Sequence, residues 1–216
     1  MMNGRLFFNT ALFDLDGTLV GTRKDYALTI VEKTLRQLGF TINDVSEEDA
    51  YKMWFGTADF PNYGLNKEGF FNVVNKYDLG PERARASFVY NDVRRNLDLI
   101  KSLGLKMGIV THAPSAIAYP EIALIGEEYF DAVVIANPRE GLPYKPNPKG
   151  IETCLELLGA KKEKSFYAGD STSDIHAGIN AGVYDVHVDR GLNPVHAEPR
   201  LRVENLDELV KKLGLY

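Results

Sequence analysis

Five short runs, rich in apolar residues, recur through the chain: 7–14, 106–111, 131–136, 164–169 and 184–188. A strand buried on both faces needs such a run, because it has no solvent-facing side on which to alternate. Stretches with helical spacing lie among them. Residues 92–103 carry Val93, Leu97, Ile100 and Leu103 and end at Gly104. Residues 114–125 open on Pro114, residues 148–158 end at Gly159, and 173–180 precede the fifth run. A last amphipathic stretch, 206–213, places Leu206, Leu209, Val210 and Leu213 on one side. Strand–helix alternation of this kind predicts an α/β fold, a Rossmann-like doubly wound parallel sheet with helices on both faces.

The alternation breaks between the first two runs. Residues 23–38 have Tyr26, Ile30, Val31, Leu35 and Leu38 at helical spacing, closed by Gly39. Ser46-Glu47-Glu48-Asp49 is a helix start, with an N-cap serine and an acidic first turn. Residues 67–77 and 81–89 read as two more helices, and nothing between about 22 and 90 alternates like a strand. The chain is therefore expected to have a doubly wound core over 1–19 and 92–216, interrupted by an α-helical insert over 20–91.

Length and composition narrow the function classes. The 216 residues suffice for one large or two modest domains, and 44% hydrophobic with 25% charged content is that of a globular chain. A net charge of −5 argues against nucleic acid as a partner, since phosphate backbones attract basic surfaces. No run approaches the roughly 18 apolar residues of a membrane helix. Met1–Arg5 reads as a lead into a strand rather than a signal peptide. A cytoplasmic protein, monomer or homodimer, is expected. The single cysteine, Cys154, sits among Ile151, Leu155 and Leu158 and reads as a core residue.

Ligands of an open parallel sheet bind beyond the carboxyl ends of its strands. Asp14 ends the first run and Asp16 follows in Asp14-Leu15-Asp16-Gly17-Thr18. Thr111 ends the second, followed by His112. Lys145 lies in the proline-rich loop 143–148, and Asp170 and Asp174 follow the fourth run. Four carboxylates and one ammonium on one edge cannot all remain ionised without a cation. Oxygen ligands with no histidine or cysteine cluster select a hard ion, Mg²⁺ rather than Zn²⁺. A site so neutralised can receive a phosphoryl group, held by the ion, Lys145, Thr111 and the N–H groups of the 15–18 turn.

These motifs resemble the haloacid dehalogenase superfamily in its phosphatase branch. Asp14-Leu15-Asp16-Gly17-Thr18 matches its first motif, DxDGT. Ile109-Val110-Thr111 matches the second, Lys145-Pro146-Asn147-Pro148 the third, and Gly169-Asp170 with Asp174 the fourth. The continuation 175–182 looks like that of phosphoglycolate-phosphatase-like members. The resemblance spans about residues 10 to 190. It implies Asp14 as nucleophile and Asp16 as general acid and base. It further implies Mg²⁺ on Asp14, Asp16, Asp170 and Asp174, and Thr111 and Lys145 on the phosphoryl oxygens. The insert resembles the family's mobile cap, with natural hinges at 20–22 and about 90–92. A small phosphorylated metabolite is the implied partner.

Each residue has a plainer reading. Asp and Gly favour turns, and Asp174 suits a helix N-terminus. His112 stands where many relatives carry asparagine, and either contacts the phosphoryl group or packs with one hydrogen bond. His176 and His187 read as structural. Trp54, Phe55, Phe70 and Phe71 are core first and pocket second; Arg23, Lys24, Arg83 and Arg85 suit solvated helix faces. Rival functions on the same fold are a 2-haloacid dehalogenase, a β-phosphoglucomutase-like phosphomutase and a non-catalytic binding module. The first needs neither Asp16 nor a metal; the last would be expected to lack Asp14, Asp16 or Lys145.

Overall fold

The structure is a computed structural model that describes residues 7–78 and 80–215. The opening segment Met1–Arg5 lies outside them. By internal contacts the chain divides into two compact units: the residues up to Gly21 with those from Val89 onward, and Thr22–Phe88.

In chain order the elements are β1 (Thr10–Phe13), β2 (Val20–Thr22), α1 (Lys24–Gln37), α2 (Glu47–Trp54), α3 (Lys67–Tyr77), α4 (Gly80–Ala86) and β3 (Ser87–Val89). There follow α5 (Val93–Ser102), β4 (Lys106–Thr111), α6 (Ser115–Ile125), β5 (Ala132–Ile135), α7 (Lys149–Leu158), β6 (Ser165–Gly169), α8 (Thr172–Ala181), β7 (Tyr184–Val188), β8 (Leu201–Val203) and α9 (Leu206–Lys212).

The first unit is built on a six-stranded sheet in the order β5-β4-β1-β6-β7-β8, all its pairs parallel. β1 is the pivot. The chain winds outward from it through β4 to β5, then returns to its other side with β6. That reversal makes the carboxyl end of β1 the crevice where such sheets take ligands. Side-chain parity along β1 sorts the core into two layers. Ala11 and Phe13 pack with Leu97 and Ile100 of α5, Ile122 of α6 and Leu209 of α9. Leu12 faces the other way, toward Ile151 and Cys154 of α7 and Ala177 of α8. Contact with α7 is close: a Cβ on Gly108 would meet Cys154 Sγ at 2.5 Å, so only glycine lets this helix lie on β4. Cys154 is thus a core residue, and burial pushes its thiol up to about 12.

The second unit has its own core. Ile30, Val31 and Leu35 of α1 pack with Met53 of α2 and Phe70 and Val74 of α3. Phe60 meets Phe70 edge-on, with ring centroids 5.1 Å apart. Ser46 caps α2, its Oγ accepting the Asp49 N–H at 3.1 Å, and Asn66 caps α3 likewise. Arg83 is buried rather than solvated, paired with Asp78 at 3.2 Å and stacked 4.9 Å from the Trp54 ring.

Three short strands depart from the sequence reading. Residues 81–89 were expected to be helical, but the helix ends at Ala86 and β3 follows, pairing with β2. β8 adds an edge to the main sheet. Each has three residues, fewer than any periodic pattern needs in order to show. Among the described residues no helix is long and apolar enough to cross a membrane.

Candidate active site

Asp14 is the first residue past β1, and its N–H still donates to Ala168 O at 2.9 Å, in continuation of the ladder with β6. The chain then turns sharply. Leu15 O accepts the N–H groups of Thr18, Leu19 and Val20 at 3.3, 2.9 and 3.0 Å, and Gly17 N–H donates to Val20 O at 2.7 Å. Gly17 has φ +78°, and a Cβ there would collide with the Asp170 carboxylate. Glycine is required on both counts. The turn carries Asp16, half-buried, two residues from Asp14.

Across the switch point, Lys145 sends its side chain into the cluster. Its Nζ donates to Asp14 Oδ1 at 2.5 Å, Asp174 Oδ1 at 2.6 Å and Tyr167 Oη at 3.1 Å. This ammonium is 3% exposed, so its charge is balanced by the carboxylates and not by water. Those partners outweigh burial and raise its pKa.

Asp174 belongs to a reciprocal cap at the start of α8. Ser171 N–H donates to its Oδ2 at 3.0 Å, and its own N–H reaches Ser171 Oγ at 3.3 Å. Capping and cluster membership coexist, as its two oxygens divide the tasks. Burial opposes its charge, but Lys145, Ser171 and Tyr167 prevail and hold it below the usual carboxylate range. Asp170 lacks that support. Burial first, then the Asp174 charge, pushes it up to about 7, against a 2.5 Å hydrogen bond from Asn193 Nδ2 to its Oδ2. Asp14 is raised as well, by burial and by the charges of Asp174 and Asp170, with Lys145 opposing.

Oxygens of Asp14, Asp170 and Asp174 lie within 4.8 Å of one another, all three residues buried. Ionised together, three buried carboxylates facing one ammonium would leave unbalanced negative charge, which is why Asp14 and Asp170 are raised. An all-oxygen donor set of that kind fits a hard divalent cation such as Mg²⁺.

Thr111 is buried at the end of β4, its Oγ1 accepting the Ala113 N–H at 3.1 Å. His112 bonds to the backbone of the lysine loop. Its Nε2 accepts the Lys145 backbone N–H at 2.6 Å, and its ring meets Tyr144 edge-on. Burial first, then the Lys145 charge, lowers its pKa to about 3, so the ring is neutral and fixes the main chain of Lys145. His176 is exposed on α8. His187 is buried, with Nε2 3.2 Å from the main-chain oxygen of Asp170.

The model of the haloacid dehalogenase-like hydrolases matches residues 11–188, a span that includes each of these groups except Asn193. The chain belongs to that family. It is 31% identical over 179 residues to the pyrophosphatase PpaX of Halalkalibacterium halodurans, with 81% of this chain and 80% of the relative covered. It is 30% identical over 176 residues to the phosphoglycolate phosphatase of Aquifex aeolicus, covering 79% and 80%. Among solved structures, the HAD phosphatase of Thermococcus onnurineus shares the fold with TM-score 0.69 at 23% identity, over 96% of this chain and 99% of that one. A haloacid dehalogenase-like protein of Streptococcus pneumoniae does so with TM-score 0.74 at 16% identity, over 96% and 99%.

The sequence reading of this haloacid dehalogenase-like site overlooked Tyr167 and Asn193. Tyr167 had a visible signal: a tyrosine in an otherwise apolar buried strand must find a partner for its hydroxyl. Here that hydroxyl lies 2.8 Å from Asp174 Oδ1 and 3.1 Å from Val110 O. Asn193 gave none, since it comes from a loop 23 residues beyond Asp170.

Proposed function

We propose that this chain is a Mg²⁺-dependent, cytoplasmic phosphatase of small phosphate monoesters that works through an aspartyl-phosphate on Asp14. The observation that carries this reading is the buried Asp14–Lys145–Asp174 contact beside Asp170. The names of its relatives, pyrophosphatase and phosphoglycolate phosphatase, agree with it.

With Lys145 holding Oδ1, the Asp14 carboxylate is fixed in orientation and attacks phosphorus. Asp16 gives a proton to the departing oxygen, and an alcohol leaves. Asp16 then takes a proton from water as that water attacks the phosphoryl group. Inorganic phosphate leaves and Asp14 is regenerated. Acid–base help of this kind contributes about 10²–10⁴-fold. Lys145 and Thr111 stabilise charge on the phosphoryl oxygens, the term that dominates phosphoryl transfer. Asp14, Asp170 and Asp174, with Asp16, would hold Mg²⁺, which when bound neutralises the carboxylates and the phosphoryl oxygens. His112 sets the Lys145 backbone. The helical unit Thr22–Phe88 is assigned the role of the cap that selects the substrate.

The test is a panel of phosphorylated small molecules (phosphoglycolate, pyrophosphate and sugar phosphates first), each assayed with Mg²⁺ and with EDTA. Release of phosphate that stops with EDTA and returns with Mg²⁺ supports the reading. Full turnover under exhaustive chelation refutes the metal assignment. Transfer of phosphate within a sugar phosphate without its release would instead indicate a mutase.

A further inference from the structure

One buried charge is not used by the chemistry above. Arg190 follows β7 by two residues, and its side chain is 7% exposed. All of its reach is spent inside the first unit. Nη1 and Nη2 donate to Asp92 Oδ1 and Oδ2, each at 2.9 Å, a two-pronged pair. Nη2 and Nε donate to the main-chain oxygen of Thr18 at 2.9 and 3.3 Å. The guanidinium carbon lies 4.1 Å from the centre of the Tyr90 ring.

The position of Thr18 gives this arrangement its meaning. The N–H groups of Gly17, Thr18, Leu19 and Val20 are satisfied locally, by Val20 O and Leu15 O. The Thr18 carbonyl points elsewhere, is fully buried with its residue, and takes its donors from Arg190. A buried carbonyl without a donor is costly, so the guanidinium fixes the plane of the peptide after Thr18. Asp16 lies two residues before that peptide, on the same turn. The far side of the clamp is itself anchored: Asp92 Oδ2 accepts the Leu206 N–H at 2.7 Å, and Tyr90 N–H donates to Leu19 O at 3.2 Å. Asp14 and Asp174 are held by separate bonds, through the β1–β6 ladder, Lys145 and the α8 cap, and Asp170 by Asn193.

We propose that Arg190, locked by Asp92, is a positioning residue that sets the turn bearing Asp16 and thereby its reach to the leaving oxygen. The proposal rests on Asp16 acting as the leaving-group acid. Losing the clamp then impairs protonation of the leaving group and spares the Asp14–Lys145–Asp174 contact. A salt bridge that only stabilised the fold would have no preference among leaving groups.

The experiment measures kcat/KM, which reports transfer to Asp14, on p-nitrophenyl phosphate and on an alkyl phosphate. The first leaving group departs without a proton and the second needs one. Arg190→Gln, Arg190→Lys, Asp16→Asn and the Arg190→Gln/Asp16→Asn double variant are compared, with thermal unfolding of each. Arg190→Gln is expected to lose at least about tenfold more on the alkyl substrate, a fraction of the usual acid–base contribution. Arg190→Lys, which keeps the charge and one donor direction, is expected in between and carries the test if the glutamine variant does not fold. In the Asp16→Asn background, Arg190→Gln should not widen the gap further. If Asp16→Asn shows the gap and folded Arg190 variants do not, the positioning role is overturned while the mechanism stands. If Asp16→Asn itself treats both substrates alike, the acid assignment fails and this inference fails with it.

Discussion

Lys145 Nζ lies 2.5 Å from Asp14 Oδ1, and both residues are buried. The same ammonium is 2.6 Å from Asp174 Oδ1. One positive charge is thus shared by two carboxylates that come from opposite sides of the motif order, 131 and 29 residues away in sequence. A divalent ion at these carboxylates and the lysine act on the same negative potential.

This competition can be measured. Lys145→Met keeps the length and apolar stem but leaves Asp14 and Asp174 without their cation. Stripping one partner from a buried pair costs about 3–5 kcal/mol, so the metal-free variant should unfold at lower urea. Mg²⁺ should bind it more tightly, by at least about tenfold, because a repelling unit charge a few ångströms away has gone. Activity should fall in the same variant. Calorimetric titration with Mg²⁺ checks the point, and weaker binding in Lys145→Met contradicts it.

Histidine 112 sets a pH dependence of stability. Its pKa falls from 6.5 to about 3 in the folded chain, through burial first and the Lys145 charge second. The unfolded chain therefore binds the extra proton between those values. The contribution is fully present above pH 6.5 and is lost as pH falls toward 3, at up to about 1.4 kcal/mol per pH unit. His112→Asn removes this group. Urea unfolding at pH 7, 6, 5 and 4 should show a shallower loss in the variant than in the parent chain. Parallel curves would mean that His112 titrates alike in both states.

Gly17→Ala tests the packing of the turn on the cluster. The left-handed backbone at φ +78° and the collision with the Asp170 carboxylate both penalise a methyl group. A loss of at least about 1 kcal/mol is expected from the backbone alone, with weaker Mg²⁺ binding as Asp170 is displaced. Unchanged urea midpoint and unchanged metal affinity would show that the turn and Asp170 move apart freely.

Much of this was legible in the residues themselves. The five runs rich in apolar residues became strands of the parallel sheet because a doubly covered strand has no solvent-facing side. The convergence of Asp14 and Asp170 at strand ends, and of Lys145 and Asp174 in the segments that follow strands, was expected because parallel strands deliver their carboxyl ends to one edge. Strands β2, β3 and β8 stayed hidden because three residues carry no period. His112 was ambiguous because a neutral imidazole accepts a backbone N–H as readily as it faces a ligand, and only the fold brings Lys145 N–H to it. Arg83 was read as solvated, but Asp78 and Trp54 receive it in the core of the helical unit. Its partners come from separate helical segments, so no local pattern announces them.

The covalent step is the centre of the account, and trapping it is the most direct test. The enzyme with Mg²⁺ is mixed with a ³²P-labelled phosphate monoester, quenched in acid within the first turnover, digested and mapped. The account expects label on the peptide containing Asp14, released by hydroxylamine as an acyl phosphate is, and absent in Asp14→Asn. Sustained turnover with label on another residue, or in an Asp14→Asn enzyme, would contradict it.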